Sequence, residues 1–278
     1  MTGQSMGWQE LRENMNHFRF ESVGASLSAV VYLPSTDRKS PAVVLYHGLS
    51  NSRHLDPMLQ ATAEELQKRD YATMQFDFYG SGESEGLFHE KLCSIMQRNA
   101  RDALHVFKQI PFVDTKRIGL WGRSVGAPMA ALQADQVACT VLVSPGYKMS
   151  ATFAPWMGPL DSDGYVQMSP QYPHHLIKGY WKLRQEFFQE LPVLEERMRQ
   201  VAQRSRNVCV IQGDADRTIR SWSDSEELLQ CYQEPRRFVR IAGADHRYRG
   251  KKEEALSATV EWFTRFLTQE PSEDGQNE

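Results

Sequence analysis

Short apolar runs alternate along the chain with longer stretches whose apolar residues recur every three or four positions. The run at 42–46 (AVVLY) is apolar throughout, the mark of a strand buried on both faces. Further strands are predicted at 28–33, 71–76, 116–121, 138–143, 207–211 and 236–241. Between them, 57–69 reads as a helix with Met58, Leu59, Ala63 and Leu66 on one stripe. Residues 94–110 read as another, through Ile95, Ala103, Val106, Phe107 and Ile110. Helical patterns also run from 125 to about 135, over 222–232 and over 251–267.

The alternation is interrupted once. Residues 147–206 hold no strong strand pattern. They open as a loop rich in Pro, Gly and aromatic residues and close in two predicted helices, about 176–190 and 192–204. Tyr180, Leu183, Phe187 and Leu191 fall at helical spacing, and Pro192 suits a first helical turn. Strand–helix–strand order with apolar strands predicts an α/β fold, a mostly parallel sheet covered by helices on both faces. The expected organisation is a core of 1–146 and 207–268, a small, largely helical cap insertion at 147–206, and a polar tail at 269–278 that frays.

Composition narrows the function classes. The chain has 278 residues, 41% hydrophobic and 24% charged, which excludes wholesale disorder. Thirty-two basic residues against 35 acidic ones leave a net charge of −3, so nucleic acid is not an expected partner. No apolar run approaches the roughly 18–20 residues that span a bilayer. The first residues show no basic cluster followed by an apolar core, so no signal peptide is expected. Cys93, Cys139, Cys209 and Cys231 lie far apart with no CxxC, arguing against a disulfide framework or zinc site. A reducing cytoplasm is the expected setting.

One pentapeptide stands at a strand-to-helix junction. Gly122-Arg123-Ser124-Val125-Gly126 fits GxSxG, with the strand pattern at 117–121 running into it and a helical pattern following. The pentapeptide alone is a weak signal; its flanks give it weight. Such a turn lifts the serine hydroxyl clear of the sheet and tolerates only glycine two residues to either side. It also puts a helix N-terminus where an oxyanion forms. Pro128 falls in the first helical turn and breaks no bond there. The plain alternative is a Gly-Ser turn with a solvated serine.

A serine hydroxyl is a poor nucleophile without a base. Where GxSxG sits on such a turn, an acid and then a histidine follow in the chain. The downstream histidines are His174, His175 and His246. His246 lies just beyond the strand ending at Ile241, at the same sheet edge as the serine, whereas His174 and His175 follow Pro173 inside the interruption. For the acid, the strand at 209–212 leads into Gly213-Asp214-Ala215-Asp216-Arg217. Spacing permits either aspartate. Asp216 is favoured because the chain must turn at Gly213 before a carboxylate reaches an imidazole, with Asp214 left to stabilise its own loop.

An oxyanion hole needs two backbone N–H groups. One belongs to Val125, directly after the serine. The other is expected in His47-Gly48-Leu49-Ser50, right after the 42–46 strand, with Leu49 as donor and Gly48 allowing close approach. His47 reads as a buried histidine bonded to loop carbonyls rather than a second base. The stretch 77–86 contains GxG, but its third glycine is misplaced and no helix starts there, so it reads as a rigid loop bordering the site. Phe153, Trp156, Tyr165 and Tyr172 are candidate walls of an apolar acyl or aromatic pocket. Most other aromatic residues of the interruption are assigned to packing.

These motifs, in this order, resemble the α/β-hydrolase superfamily from about residue 20 to 267. Within it the chain looks most like the bacterial cinnamoyl/feruloyl esterase group, whose short helical cap follows the fifth core strand. The resemblance implies Ser124 as nucleophile, Asp216 as acid, His246 as base, and Leu49 and Val125 as oxyanion donors. Val125 stands where those esterases often carry Gln, Arg123 where His is frequent, and Ala127 where a third glycine is common. The expected activity is hydrolysis of small-molecule carboxylic esters, short acyl or aryl (cinnamoyl-type), through an acyl-enzyme and with no cofactor. An acyl thioesterase or acyltransferase on carrier-bound acyl groups, or a serine peptidase, would use the same machinery. From a different class, a non-catalytic ligand-binding module is opposed by the intact Ser124, Asp216 and His246.

Overall fold

The apolar runs become the middle of one sheet. The computed structural model describes residues 14–35, 38–168, 177–219 and 221–268. In chain order the first elements are β1 (Asn14–Ser22), β2 (Ala25–Leu33), β3 (Ser40–Tyr46), α1 (Pro57–Gln67), β4 (Ala72–Phe76) and α2 (Cys93–Lys108). Then come β5 (Val113–Arg123), α3 (Gly126–Ala131), β6 (Cys139–Val143) and α4 (Met149–Phe153). The interruption continues with β7 (Met157–Leu160), β8 (Tyr165–Met168), β9 (Lys182–Arg184), α5 (Gln185–Gln189) and α6 (Leu191–Ala202). β10 (Val208–Gly213), α7 (Trp222–Gln230), β11 (Arg236–Ile241) and α8 (Lys252–Leu267) complete the described chain.

Eight strands form the main sheet in the order β1-β2-β4-β3-β5-β6-β10-β11. The pairs from β4 to β11 are parallel, while β2 runs antiparallel to both β1 and β4. Strand side chains alternate between two buried layers. Val44, Tyr46, Leu120, Leu142 and Val210 point into a core closed by α2, α3, α6 and α7. Val43, Leu45, Trp121, Val141, Cys209 and Ile211 point into a second core closed by α1 and α8. Each such side chain contributes about 1.5–3 kcal/mol by leaving water. This is the doubly covered parallel sheet that wholly apolar strands require.

Several elements depart from the sequence expectation, among them α4, β7 and β8 in the stretch expected as a loop. One is β1, which carries only a weak alternation: Phe18 and Phe20 are buried and Met15 is exposed. It is joined to β2 by Val23-Gly24, both at positive φ as two-residue hairpin turns require. Valine at such a position gives no turn signal in the sequence. Another is the helix expected over 176–190. Lys182–Arg184 instead pairs with β8 in a three-stranded antiparallel sheet, β7-β8-β9, and among the described residues of that stretch only Gln185–Gln189 is helical. Trp181 and Leu183 alternate inward at strand period, and Tyr180, at an apparent helix-stripe position, is 67% exposed. The helix after the pentapeptide ends at Ala131, followed by a 3₁₀ turn at Ala134–Gln136. The expected tail at 269–278 lies outside the described residues. Among the described residues no helix is long and apolar enough to cross a membrane.

Candidate active site

β5 runs straight into the pentapeptide and α3 leaves it. Ser124 at the corner has φ 53, a left-handed conformation rare for a residue with a side chain. The Ser124 N–H donates to the Val143 carbonyl (2.9 Å), and its own carbonyl accepts from the Ala127 N–H (3.0 Å). The two glycines are required by packing. A Cβ on Gly122 would strike the Gly126 carbonyl, and one on Gly126 would strike the carbonyls of Tyr46 and His47.

The other two side chains arrive from neighbouring strand ends. Past β11, the His246 ring stands with Nε2 3.1 Å from Ser124 Oγ and Nδ1 2.8 Å from Asp216 Oδ2. A carboxylate only accepts, so the ring proton sits on Nδ1 and Nε2 is left to accept from the serine hydroxyl. Asp216, past β10, is fixed in turn: Oδ1 accepts the N–H groups of Thr218 (2.8 Å) and Ile219 (3.0 Å), and Oδ2 also accepts from Gln212 Nε2 (3.1 Å). Burial opposes its charge, but the His246 contact and the two backbone N–H groups outweigh burial, and its pKa lies below the ordinary aspartate value. Asp214 is turned elsewhere, accepting from the Gly243 N–H (2.7 Å) and Arg240 Nε (3.1 Å). Asp245 Oδ1 accepts the N–H groups of Arg247 and Arg249. His174 and His175 lie outside the described residues.

The loop after β3 faces the serine. A Cβ on Gly48 would stand 3.3 Å from the Ser124 Cβ. The His47 ring is buried, with Nδ1 2.7 Å from the Gly48 carbonyl and Nε2 accepting the Phe78 N–H at 3.1 Å. The Phe78 contact assigns the proton to Nδ1, which donates to Gly48. Burial pushes the ring's pKa down to about 4, with the Asp77 field opposing. His47 is thus a neutral structural group across the working pH range. Arg123, the residue before Ser124, ties three loops together. Arg123 donates from Nη1 to Asp56 Oδ2 (2.7 Å) and from Nη2 to the His246 carbonyl (2.9 Å). Asp56 in turn caps α1 through the N–H groups of Met58 and Leu59.

Over Ser124 opens a cavity of about 230 Å³. Leu49, Val125, Phe153, Trp156, Trp181 and Ile219 are among its walls, with Ser124 and His246 on its surface. Of the expected pocket residues, Phe153 and Trp156 line it. Tyr165 does not: its ring packs at 5.6 Å from that of His89 and lies 4.2 Å beneath Lys182 Nζ. The strand β8 turns Tyr165 away from the serine, an orientation hidden while the segment is read as loop. Tyr172 lies outside the described residues. Met149, Thr152, Trp181 and Ile219 also line the cavity and carry no signal in the sequence beyond apolar or small character.

The profile of the Hydrolase_4 family, described as "Serine aminopeptidase, S33", matches residues 37–179, about half of the chain. The chain belongs to this family. The chain is 31% identical over 109 residues to the quorum-quenching protein AidA of Acinetobacter baumannii, a match covering 39% of this chain and 35% of AidA. It is 31% identical over 108 residues to the thiohydrolase aneE of Aspergillus aculeatus, covering 38% and 33% respectively. The match therefore spans about a third of the length of these curated relatives. Among solved structures, Est1E of Butyrivibrio proteoclasticus with ferulic acid bound superposes with a TM-score of 0.75 at 20% identity, covering 91% of this chain and all of Est1E. That likeness establishes the α/β-hydrolase fold.

Proposed function

We propose that this serine hydrolase cleaves carboxylic esters, with Ser124 as nucleophile, His246 as general base and Asp216 as the acid that orients it. The observation that carries the reading is the unbroken chain from Asp216 Oδ2 through the His246 ring to Ser124 Oγ, at 2.8 and 3.1 Å, beneath an apolar cavity. As Ser124 Oγ attacks the ester carbonyl, His246 Nε2 takes its proton. Asp216, held ionised by its neighbours, stabilises the imidazolium and keeps Nδ1 protonated. The carbonyl oxygen becomes an oxyanion facing the N–H groups of Leu49 and Val125; losing one such donor typically costs about 3 kcal/mol of barrier. His246 then gives the proton to the leaving alcohol. Water, deprotonated by the same ring, releases the acid and restores Ser124.

The cavity bears on the substrate. At about 230 Å³ it is smaller than pockets that engulf drug-sized ligands, roughly 300–1,000 Å³. With Phe153, Trp156 and Trp181 in its walls, it suits one short acyl or aryl arm, cinnamoyl-type esters included, rather than a long chain. Residues 147–206 act in this reading as the cap that supplies those walls. The kinetic panel that tests it compares aryl and short alkyl esters, acyl thioesters and aminoacyl amides, each with wild type and Ser124→Ala. Ester turnover that vanishes in the alanine protein is expected. Turnover confined to thioesters or to amides would move the assignment to thioester hydrolysis or to peptide hydrolysis.

A further inference from the structure

Beside the oxyanion loop lies a lysine that the triad does not use. Lys91 follows the 3₁₀ turn Phe88–Glu90 and is fully buried. Its Nζ donates to the Leu49 carbonyl at 3.0 Å and to Ser81 Oγ at 2.5 Å, and lies 5.0 Å from the centre of the Phe88 ring. Phe88 in turn stacks on Trp181, a wall of the cavity. One ammonium thus joins the loop carrying Leu49, the loop carrying Ser81 and the aromatic wall.

A backbone N–H stabilises an oxyanion only if its direction is fixed before substrate arrives. A peptide unit is planar, so holding a carbonyl fixes the N–H across the same bond. The Gly48 carbonyl is held by His47 Nδ1 (2.7 Å) and by the Asn51 N–H (3.2 Å), which sets the plane carrying the Leu49 N–H. The Leu49 carbonyl belongs to the next plane, and Lys91 holds it. Leu49 is therefore clamped on both sides, and the second clamp is a buried lysine.

A lysine is an expensive choice for that duty. Burial pushes its pKa down to about 7, against the field of Asp77. Asp77 is already engaged by the guanidinium and backbone N–H of Arg53 and by the Glu83 N–H. Removing the lysine therefore leaves no carboxylate without a partner. An apolar side chain of the same length would remove that desolvation cost while taking one donor from the Leu49 carbonyl and one from Ser81 Oγ.

We propose that Lys91 is a positioning residue: by holding the Leu49 carbonyl it fixes the plane that follows the Leu49 N–H, and so restrains the turn that aims this N–H at the oxyanion, at the expense of folding stability. The inference rests on the ester-hydrolase reading and on Leu49 as a donor. The test compares wild type, Lys91→Met, Lys91→Gln and Ser124→Ala by thermal melting and by kcat and KM on an aryl acetate. The methionine protein is expected to melt higher than wild type, lose kcat by about tenfold or more, and keep KM within about twofold. Glutamine, neutral but able to donate to the Leu49 carbonyl, is expected to return part of kcat. A folded methionine protein with wild-type kcat overturns the proposal, as does one that loses activity only in step with lost stability. If the methionine protein does not fold, glutamine alone decides: kcat equal to wild type overturns the proposal, and a lowered kcat at unchanged KM supports it. Activity persisting in Ser124→Ala would instead sink the ester-hydrolase reading, a separate outcome.

Discussion

Deleting the Arg123 guanidinium removes two contacts at once. The side chain is 5% exposed and its partner Asp56 is fully buried, so a carboxylate left behind cannot recover its loss in water. In Arg123→Met, Asp56 keeps only the N–H groups of Met58 and Leu59, at 3.2 and 3.3 Å, and a 3.4 Å contact from Asn51 Nδ2. Breaking a buried pair by removing one member typically costs about 3–5 kcal/mol. The His246 carbonyl loses its donor as well, worth about 1 kcal/mol. Arg123 borders the cavity, where water enters, so the low end is expected: a loss of about 3 kcal/mol, against a typical domain stability of about 5–15 kcal/mol. Asp56→Asn preserves the helix cap, because asparagine caps as well as aspartate. Urea denaturation of wild type, both single variants and the double variant closes a cycle. The double variant should be more stable than Arg123→Met by about 1 kcal/mol or more, because no charge is then stranded. Strictly additive losses, or an Arg123→Met protein within about 0.5 kcal/mol of wild type, would refute the reasoning.

Other outcomes follow from the same geometry. Asp216→Asn keeps an acceptor for the Thr218 and Ile219 N–H groups but cannot hold the right ring tautomer; steady-state kinetics should show kcat lowered on the order of 10⁴-fold with the melting temperature little changed. Trp156→Ala lengthens the cavity and should shift kcat/KM toward longer acyl esters by about 1–3 kcal/mol of discrimination, read from a chain-length series; an unchanged ranking counts against Trp156 as a wall. Lys91 carries a pH signature. Its folded pKa, about 7, lies below the unfolded value near 10.4, so between them the unfolded chain holds a proton that the folded chain has released, and stability rises with pH. The stability gained by Lys91→Met should accordingly be larger at pH 6 than at pH 9.5, and equal gains at both would contradict a depressed lysine.

The parts of the site that sit at strand ends were legible in the sequence, because chain order and sheet topology together determine where a strand ends. Ser124, Asp216 and His246 each follow a segment predicted as a strand, and the parallel sheet brings those ends to one edge. The reason to prefer Asp216 over Asp214, a chain that must turn at Gly213 first, corresponds to the contacts each makes. Legibility failed where strands are short or half-exposed. Met157–Leu160 is exposed along its length, and Lys182–Arg184 has one buried residue, so neither imprints a pattern that competes with the helical spacing of Tyr180, Leu183 and Phe187. Tyr165 was expected in the pocket because composition does not reveal on which side of a small sheet a ring lies. The ties of Arg123 and Lys91 were invisible for a related reason: each spans tens of residues, and a charged residue in sequence gives no sign of being buried.

The central claim is that Ser124 is made nucleophilic by His246. A fluorophosphonate probe tests it directly, since its phosphorus is attacked by an activated serine and the adduct is stable to mass spectrometry. One adduct per chain, mapping to the peptide that contains Ser124 and lost in His246→Ala, is the result expected. No adduct on folded wild-type protein, or labelling of Ser124 at the same rate without the histidine, would contradict it.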